Sequence, residues 1–266
     1  NGIDPIMAIR MGTINTARYF GLKKYGAVAP GKYADLVVFS DLRNIMPEQV
    51  YRGGTLVAEN GRMVVERQRM RAMDLRSTVN VRIDKLDFSI PADGTDIHVI
   101  GNIQDQIVTD HFVEPAKIID GFAVSDTERD ILKFAIVERH RATGNIGKGF
   151  IKGFKLKRGA IAGTVAHDHH NLTVIGVDDK SMKNAAIAII EMGGGLVVVD
   201  GDDVLAQLPL PVAGLLSEAP IEEVRATYDT LIQKAHELGN TMSDPFIAMS
   251  FMGLEVIPKL KLTDMG

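Results

Sequence analysis

Five consecutive polar residues near the middle of the chain have side chains that could do chemistry. They follow directly after the apolar run at 159–166 and are His167, Asp168, His169, His170 and Asn171. Imidazoles and carboxylates transfer protons, and a carboxamide orients a ligand through hydrogen bonds. A strand cap needs one polar side chain, whereas this histidine segment (residues 167–171) supplies five. We predict that it presents polar groups at a strand end, to a substrate pocket or a domain interface.

The spacing of the first two histidines also suits a metal ion. Alternate residues of a strand point to one side, so the imidazoles of His167 and His169 could bind one ion. Further ligands are not evident downstream, because the one histidine after His170 is His236, which falls within a predicted helix. We therefore favour pocket or interface contacts over metal binding, and a purely structural turn stays open as the alternative.

Composition bounds the class of protein. The chain has 266 residues, of which 45% are hydrophobic and 24% charged, values typical of a folded protein with one large domain or two ordinary ones. The formal net charge of −4 argues against a dominant role in binding nucleic acid or a membrane surface. We expect neither nucleic acid nor a membrane as a partner.

Other compositional features concern the cellular compartment. The absence of cysteine excludes disulfides and thiolate metal sites. No apolar run approaches the ~20 residues that cross a bilayer. The first residues, NGIDPIMAIRMG, lack the basic-then-apolar order of a signal peptide. These features together predict a cytoplasmic location.

A basic stretch precedes the histidine segment. Against a single acidic residue, Glu138, it contains Arg139, Arg141, Lys148, Lys152, Lys155, Lys157 and Arg158. We interpret it as a solvated strand face, and a surface for an anion or a partner stays open. Within it, Gly144, Gly147 and Gly149 predict a hairpin with positive φ angles. A phosphate-binding loop is disfavoured because no G-K-[ST] sequence follows.

Other candidate side chains have simpler interpretations. Four isolated histidines are expected on the surface or hydrogen-bonded in the core: His98, His111, His140 and His236. Three methionines among two phenylalanines are expected to fill the core: Met242, Met249 and Met252, with Phe246 and Phe251.

The first part of the chain predicts a helical start followed by a small β unit. Asp4-Pro5 supplies an N-cap and a proline at the first helical position, and we expect an interruption at Gly12 and an end at Gly21. Apolar runs predict strands at 34–39, 49–52, 56–59 and 62–67. Asn60-Gly61 predicts a tight hairpin between the last two. Residues 21–75 offer too few strands to close a core alone.

The rest of the chain mixes strands and helices. Strands are predicted at 79–83, 97–103, 106–113, 131–138, 161–166, 172–177 and 196–200. The run at 131–138 also suits a helix, and we favour a strand because it leads into the glycine-rich turn. A helix capped at Asp179 or Ser181 and ending at Met192 would join two strands as a crossover unit. A helix is predicted at 221–238, and Asp244-Pro245 starts another helix or a turn.

Two passages near the start resemble the amidohydrolase superfamily. RMGTINTARYFGL and GAVAPGKYADLVVFSDL are similar to the segment that follows the last strand of the barrel in that superfamily. There a helix with a T-x-N-x-A pattern, here Thr13, Asn15 and Ala17, precedes a strand region, here 26–41. The resemblance is specific for the superfamily and says little about the substrate.

Longer passages are similar to the C-terminal domain of bacterial-type adenine deaminases, over nearly the whole chain. They are VERHRATGNIGKGFIKGFKLKRGAIAGTVAHDHHN, IEMGGGLVVV, LPLPVAGLLS, SDPFIAMSF and LKLTDMG. That family usually reads A-H-D-S-H-N at the histidine segment. His169 departs from this pattern, and the residues that keep it are our candidate catalytic residues: His167, Asp168, His170 and Asn171.

The resemblance implies a mixed α/β fold in three parts. Residues 1–20 would be a helical remnant after the last barrel strand, and 21–76 a small β-sandwich remnant of amidohydrolase type. Residues 77–266 would be a mixed sheet-and-helix domain. The barrel would precede this chain, which would then be the C-terminal portion of a longer enzyme.

The resemblance also implies a reaction and a cofactor. In that family a metal-activated hydroxide attacks C6 of adenine, ammonia leaves and hypoxanthine remains, a step of purine salvage. A pair of divalent metal ions, manganese or iron, is held at the mouth of a (β/α)₈ barrel by strands that precede the T-x-N-x-A helix. We therefore expect neither bound metal nor deamination from this chain alone.

Two classes of function follow from these observations. In the first, the chain is part of a hydrolase that acts on the cyclic amidine of adenine, and the missing N-terminal barrel is its partner. In the second, it is a non-catalytic module that packs on a barrel or binds a ligand or partner. We also expect a homo-oligomer, since the incomplete β unit would leave a strand edge open.

Overall fold

A computed structural model describes residues 2–65 and 78–266. The chain divides into two compact units, Asn1–Arg71 and Ala72–Gly266. The fold is mixed α/β, as predicted, and the described residues form three sheets and a few helices. None of the helices in the described residues has the length and apolar content needed to cross a bilayer.

The first unit begins with a helix that runs through the predicted interruption. Helix α1, Pro5–Arg10, is capped by the Asp4 carboxylate, and it continues through a π-helical turn, Met11–Asn15, into α2, Thr16–Tyr19. The interruption predicted at Gly12 corresponds to this π-helical turn, which separates α1 from α2 while the backbone stays helical. The predicted end is confirmed, with Gly21 at a φ of 66°.

A four-stranded antiparallel sheet follows in the first unit. Its strands, in spatial order, are β1 Leu36–Val38, β2 Gln49–Arg52, β3 Thr55–Glu59 and β4 Arg62–Met63. The hairpin between the last two is confirmed, since Asn60 and Gly61 both have positive φ angles. The predicted fourth strand ends early, at Met63, and its positions 66–67 lie outside the described residues. Among the described residues of this unit, Ala17 is the one buried hydrophobic side chain, so these strands do not close a core by themselves.

The second unit is built on an eight-stranded sheet and a separate hairpin. The strands in chain order are β5 Asp96–Asn102, β6 Thr109–Pro115, β7 Lys117–Ile119, β8 Phe122–Val124, β9 Ile131–Val137, β10 Ile146–Lys152, β11 Ala160–Gly163, β12 Leu172–Gly176, β13 Gly195–Asp200 and β14 Asp203–Pro209. The large sheet has the spatial order β14-β13-β11-β12-β9-β10-β5-β6. The run at 131–138 is thus a strand, as we favoured.

Three helices complete the second unit. They are α3 Asp179–Glu191, α4 Ile221–Glu237 and α5 Pro245–Ser250. The predicted crossover is confirmed: β12 and β13, which α3 joins, both pair antiparallel with β11 and are therefore parallel to each other. The cap of α3 is Asp178, one residue before the earlier of the two predicted caps, and its carboxylate accepts the Ser181 N–H at 2.8 Å.

The two faces of the large sheet are covered by different helices. Alternate residues of β11 point to opposite sides, so Ala160 and Ala162 pack against α3, whereas Ile161 belongs to the core beneath α4 and α5. The methionines predicted to fill the core do so: Met242, Met249 and Met252 are buried. Asp244 caps α5 through the Ile247 N–H, which confirms a helix start at Asp244-Pro245.

Some predicted elements differ from the structure, and local turns account for two of the differences. The strand predicted at 79–83 is absent, and a 3₁₀ turn at Ile83–Lys85 occurs there. The strand predicted at 106–113 begins later, at Thr109, because Asp105 takes a φ of 59° and turns the chain. Gly144 has the positive φ expected of the hairpin, but Gly147 is needed for close packing: a Cβ there would lie 1.7 Å from the Thr263 carbonyl oxygen.

Candidate functional site

The histidine segment lies in the connection between β11 and β12. Because β11 ends at Gly163, the segment begins beyond the strand and forms a turn. Backbone hydrogen bonds hold this turn: the His167 N–H donates to the Ser250 oxygen (2.9 Å), and the His170 N–H donates to the Ala166 oxygen (2.6 Å). The segment is therefore fixed against the end of α5.

His169 uses both ring nitrogens to hold the turn. Its Nδ1 accepts the Asn171 N–H at 3.2 Å, so the ring proton is on Nε2, which donates to the Gly253 oxygen at 2.9 Å. A Cβ at position 253 would lie 3.0 Å from that Nε2, a tight contact that glycine avoids. His169, which departs from the family pattern, thus stabilises the turn through its hydrogen bonds.

Asn171 is a buried link between three segments. Its side chain amide donates to Asp264 Oδ1 near the end of the chain (3.0 Å), and its Oδ1 accepts the Arg139 N–H after β9 (3.4 Å). The residue is only 3% exposed. Its carboxamide therefore fixes the segment in place.

The remaining two histidines form an aromatic cluster with Phe251. The His167 ring stacks on Phe251, with centroids 4.8 Å apart, and meets the His170 ring edge-on at 5.7 Å. His170 has a left-handed backbone, with a φ of 49°. Its Nδ1 is buried and has no hydrogen-bond partner among the residues that the structure describes. Asp168, between them in sequence, is exposed.

The environment of His170 favours the uncharged imidazole. Burial lowers the pKa of His170 below its ordinary value, and the nearby His167, Arg139 and His169 lower this pKa further. Asp168 acts in the opposite direction without reversing the shift. A neutral imidazole has one donor and one acceptor nitrogen, so His170 can hydrogen-bond to either kind of ligand atom.

Arg139 lies behind the segment and was not predicted as part of it. The residue is 1% exposed, and its guanidinium donates from Nε to the His170 oxygen (2.5 Å). It also donates from Nη1 to the Thr78 oxygen (3.0 Å) and from Nη2 to the Ala213 oxygen (3.1 Å). The interpretation as a solvated strand face is therefore wrong for Arg139. The signal in the sequence was an arginine two residues after the end of a buried, mostly apolar strand.

The histidines predicted to be isolated make specific contacts. The expected surface position is confirmed for His98 and His111, which are exposed, and their Nδ1 and Nε2 atoms lie 2.7 Å apart across β5 and β6. His140 donates from Nε2 to the His169 oxygen (2.7 Å) and thus supports the histidine segment. His236 contacts the Met242 oxygen at 2.7 Å, in keeping with a hydrogen-bonded residue.

The described residues do not fit a metal centre. No group of three or more histidine, aspartate or glutamate side chains within residues 2–65 and 78–266 is arranged to hold an ion. Both His169 nitrogens are already used, so His167 and His169 cannot act together as an H-x-H ligand pair.

A cavity of about 340 Å³ adjoins the histidine segment through Phe251. Apolar side chains line it together with polar groups, among them Asn102, Gln104 and Ser243. Phe251 thus both lines this cavity and stacks on the His167 ring.

Comparisons with known proteins match both units of the chain. The family model described as adenine deaminase C-terminal domain matches residues 106–266, and that of the amidohydrolase family matches residues 1–57. An adenine deaminase of Desulfatibacillum aliphaticivorans is 48% identical over 265 residues, covering 100% of this chain and 47% of that protein. One of Methanothrix thermoacetophila is 46% identical over 267 residues, covering 100% of this chain and 46% of that protein. The chain thus spans about half the length of the curated relatives it matches.

Proposed function

The chain belongs to the family of adenine deaminase C-terminal domains, and we propose that it forms the C-terminal half of an adenine deaminase. The observation that carries this proposal is the end-to-end match to relatives of that name at 48% and 46% identity. The amidohydrolase match at residues 1–57 supports an organisation in which 1–20 and 21–76 continue a barrel, and 77–266 is a separate domain.

The full-length enzyme would convert adenine and water to hypoxanthine and ammonia. The oxygen of water bonds to C6, the bond from C6 to the exocyclic nitrogen breaks, and that nitrogen leaves as ammonia. We propose a role in purine salvage, a cytoplasmic location and a homo-oligomeric enzyme.

We place the metal ions outside this chain. The amidohydrolase match implies a metal-dependent enzyme, and manganese or iron are our candidates. When bound, divalent metal ions supply a water that is activated for attack at neutral pH. The described residues of this chain do not fit such a centre, so no step of the reaction is assigned to a metal here.

The residues of this chain would act by orienting the substrate. We propose that the histidine segment faces the active site of the full-length enzyme, with His167, Asp168 and His170 toward the purine. The neutral His170 imidazole can donate to a ring nitrogen or accept from the exocyclic amine, and the exposed Asp168 carboxylate can accept. Asn171 would hold the segment from behind.

The test is a product assay on the full-length protein. Incubation with adenine and manganese, iron or zinc should form hypoxanthine and ammonia in equal amounts. A full-length protein that binds a ligand but releases neither product would favour the alternative, a non-catalytic module that packs on a barrel. A coding sequence with no barrel upstream of this chain would favour it too.

A further inference from the structure

We propose that Arg139 is a positioning residue, which holds the His170 imidazole in its working orientation through the His170 carbonyl. The inference rests on the proposed function for the role of His170. The contacts that carry it are independent of that function.

The guanidinium ties three distant parts of the chain together. Its Nε binds the His170 oxygen at 2.5 Å, while Nη1 and Nη2 bind the oxygens of Thr78 and Ala213. Nη1 also donates to the Thr78 hydroxyl at 3.2 Å. A planar fork with five N–H donors can reach such divergent acceptors at once, and an ammonium on a flexible stem cannot.

The backbone around Arg139 leaves room for its guanidinium. A Cβ at Gly214 would lie 2.8 Å from Nη1, so the 213–214 turn leaves room for the guanidinium and offers it a carbonyl. His170 has a left-handed backbone, which costs a non-glycine residue energy unless the surroundings impose it. The bond from Arg139 to the His170 carbonyl imposes that conformation and thereby sets the direction of the imidazole.

Arg139 makes its side-chain hydrogen bonds to neutral acceptors and, among the described residues, forms no ion pair with a carboxylate. Burial lowers the pKa of Arg139, and the adjacent Glu138 carboxylate opposes that shift without reversing it. Burying a charge is costly even when neutral groups accept its hydrogen bonds. Its positive charge faces His170, together with His167 and His169, and this arrangement favours the uncharged imidazole.

Lys133 provides a matched control on the same strand. It is 3% exposed and donates to the Phe88 oxygen at 3.1 Å, and it pairs with Asp179 at 2.5 Å. Lys133→Met therefore removes a buried cation from β9, as Arg139→Met removes one just beyond it. Within the described part of the chain, the Lys133 side chain bonds to Phe88 and Asp179 and not to the histidine segment, so the two variants separate loss of stability from loss of orientation.

The first readout is kinetic and uses the full-length protein. We expect Arg139→Met to lower kcat/KM at least about tenfold per folded molecule, with Arg139→Lys intermediate because it keeps the charge and loses the fork. Lys133→Met should lower the melting temperature and leave kcat/KM within about twofold. Equal kcat/KM losses in the Arg139 and Lys133 variants would overturn the proposal.

The second readout does not need activity. Histidine side chain NMR of the 266-residue chain should show that Arg139→Met moves the His170 signals and raises its titration midpoint, while Lys133→Met leaves both unchanged. If Arg139→Met does not fold, Arg139→Lys replaces it in the NMR experiment, and we expect the His170 signals to move in that variant too. Unchanged His170 signals in a folded Arg139 variant would refute the proposal. Shifted signals in a full-length protein without deaminase activity would instead refute only the proposed function.

Discussion

Two kinds of histidine stand side by side in the histidine segment. His169 is clamped through both ring nitrogens, whereas His170 has a buried Nδ1 with no partner among the described residues. His167 contributes a ring that stacks on Phe251. The sequence pattern separated His169 from the others by its departure from the family, and the contacts explain the separation: His169 has no ring nitrogen left for a ligand.

Substitution of these residues in the full-length protein should have contrasting effects. We expect His167→Ala and His170→Asn to lower kcat/KM by about tenfold to a thousandfold, the range for losing an orienting or proton-transfer group. Asparagine is chosen for His170 because it tolerates the left-handed backbone. Steady-state kinetics beside melting temperatures measure both effects.

His169→Ser is the control for those variants. A serine hydroxyl can still accept the Asn171 N–H, and the bond to the Gly253 oxygen is lost, so we expect a stability loss of about 1 kcal/mol and an unchanged kcat/KM. If His169→Ser were as damaging to kcat/KM as His170→Asn, the division of roles within the segment would be wrong.

The lowered pKa of His170 predicts a pH dependence of stability. The unfolded chain takes up a proton at the ordinary value of about 6.5, above the folded pKa, so stability is present above that pH and is lost as pH falls through the folded pKa. His170→Asn should therefore reduce the loss of stability between pH ~7 and ~5. Urea midpoints at the two pH values test this, and the same pH dependence in both proteins would contradict it.

At the scale of elements, strand β10 carries two glycines with different roles. A Cβ at Gly147 would lie 1.7 Å from the Thr263 oxygen, whereas one at Gly149 would meet Leu262 at 3.8 Å, an ordinary contact. Gly147 thus lets the end of the chain, including Asp264, which binds Asn171, lie against the sheet.

Alanine substitutions at the two positions should separate these roles. We expect Gly147→Ala to destabilise the chain by about 3 kcal/mol, at the upper end for overpacking, because the contact is with backbone. Gly149→Ala should change stability by less than about 0.5 kcal/mol. Chemical denaturation measures both values, and equal effects would show that the chain end moves freely away from β10.

Sequence patterns were informative where an element is buried on both faces. The runs of β9, β12 and β13 are almost continuously apolar, as central strands are, and the crossover through α3 followed from their order. The turn at Asp105 and the 3₁₀ turn at 83–85 contain no glycine or proline that would mark a turn, and they were missed. Arg139 was missed because its acceptors, at positions 78, 170 and 213, are far apart in sequence.

At the scale of the whole molecule, the two units differ in how much they bury. No residue of β1 to β4 is buried, whereas every residue of β11 and β12 is. Backbone hydrogen bonds near solvent open locally more easily than those in a core. The first unit should therefore be the less stable one when this chain is studied alone.

Amide hydrogen exchange tests that difference in the 266-residue chain. We expect residues 36–59 to exchange at least about tenfold faster than residues 160–200, because the first unit lacks a core of its own. We expect the first unit to be stabilised by further protein chain or by a second copy of this chain. Uniformly slow exchange across both regions in a monomer would contradict that expectation.

The central claim is that this chain is one half of an adenine deaminase and does not complete the reaction alone. Hypoxanthine formation from adenine, measured side by side for the full-length protein and for the 266-residue chain with the same divalent metal, tests it most directly. We predict turnover by the full-length protein and none by the chain, whose described residues hold no metal centre. Turnover by the chain alone, or none by a folded, metal-loaded full-length protein, would contradict the account.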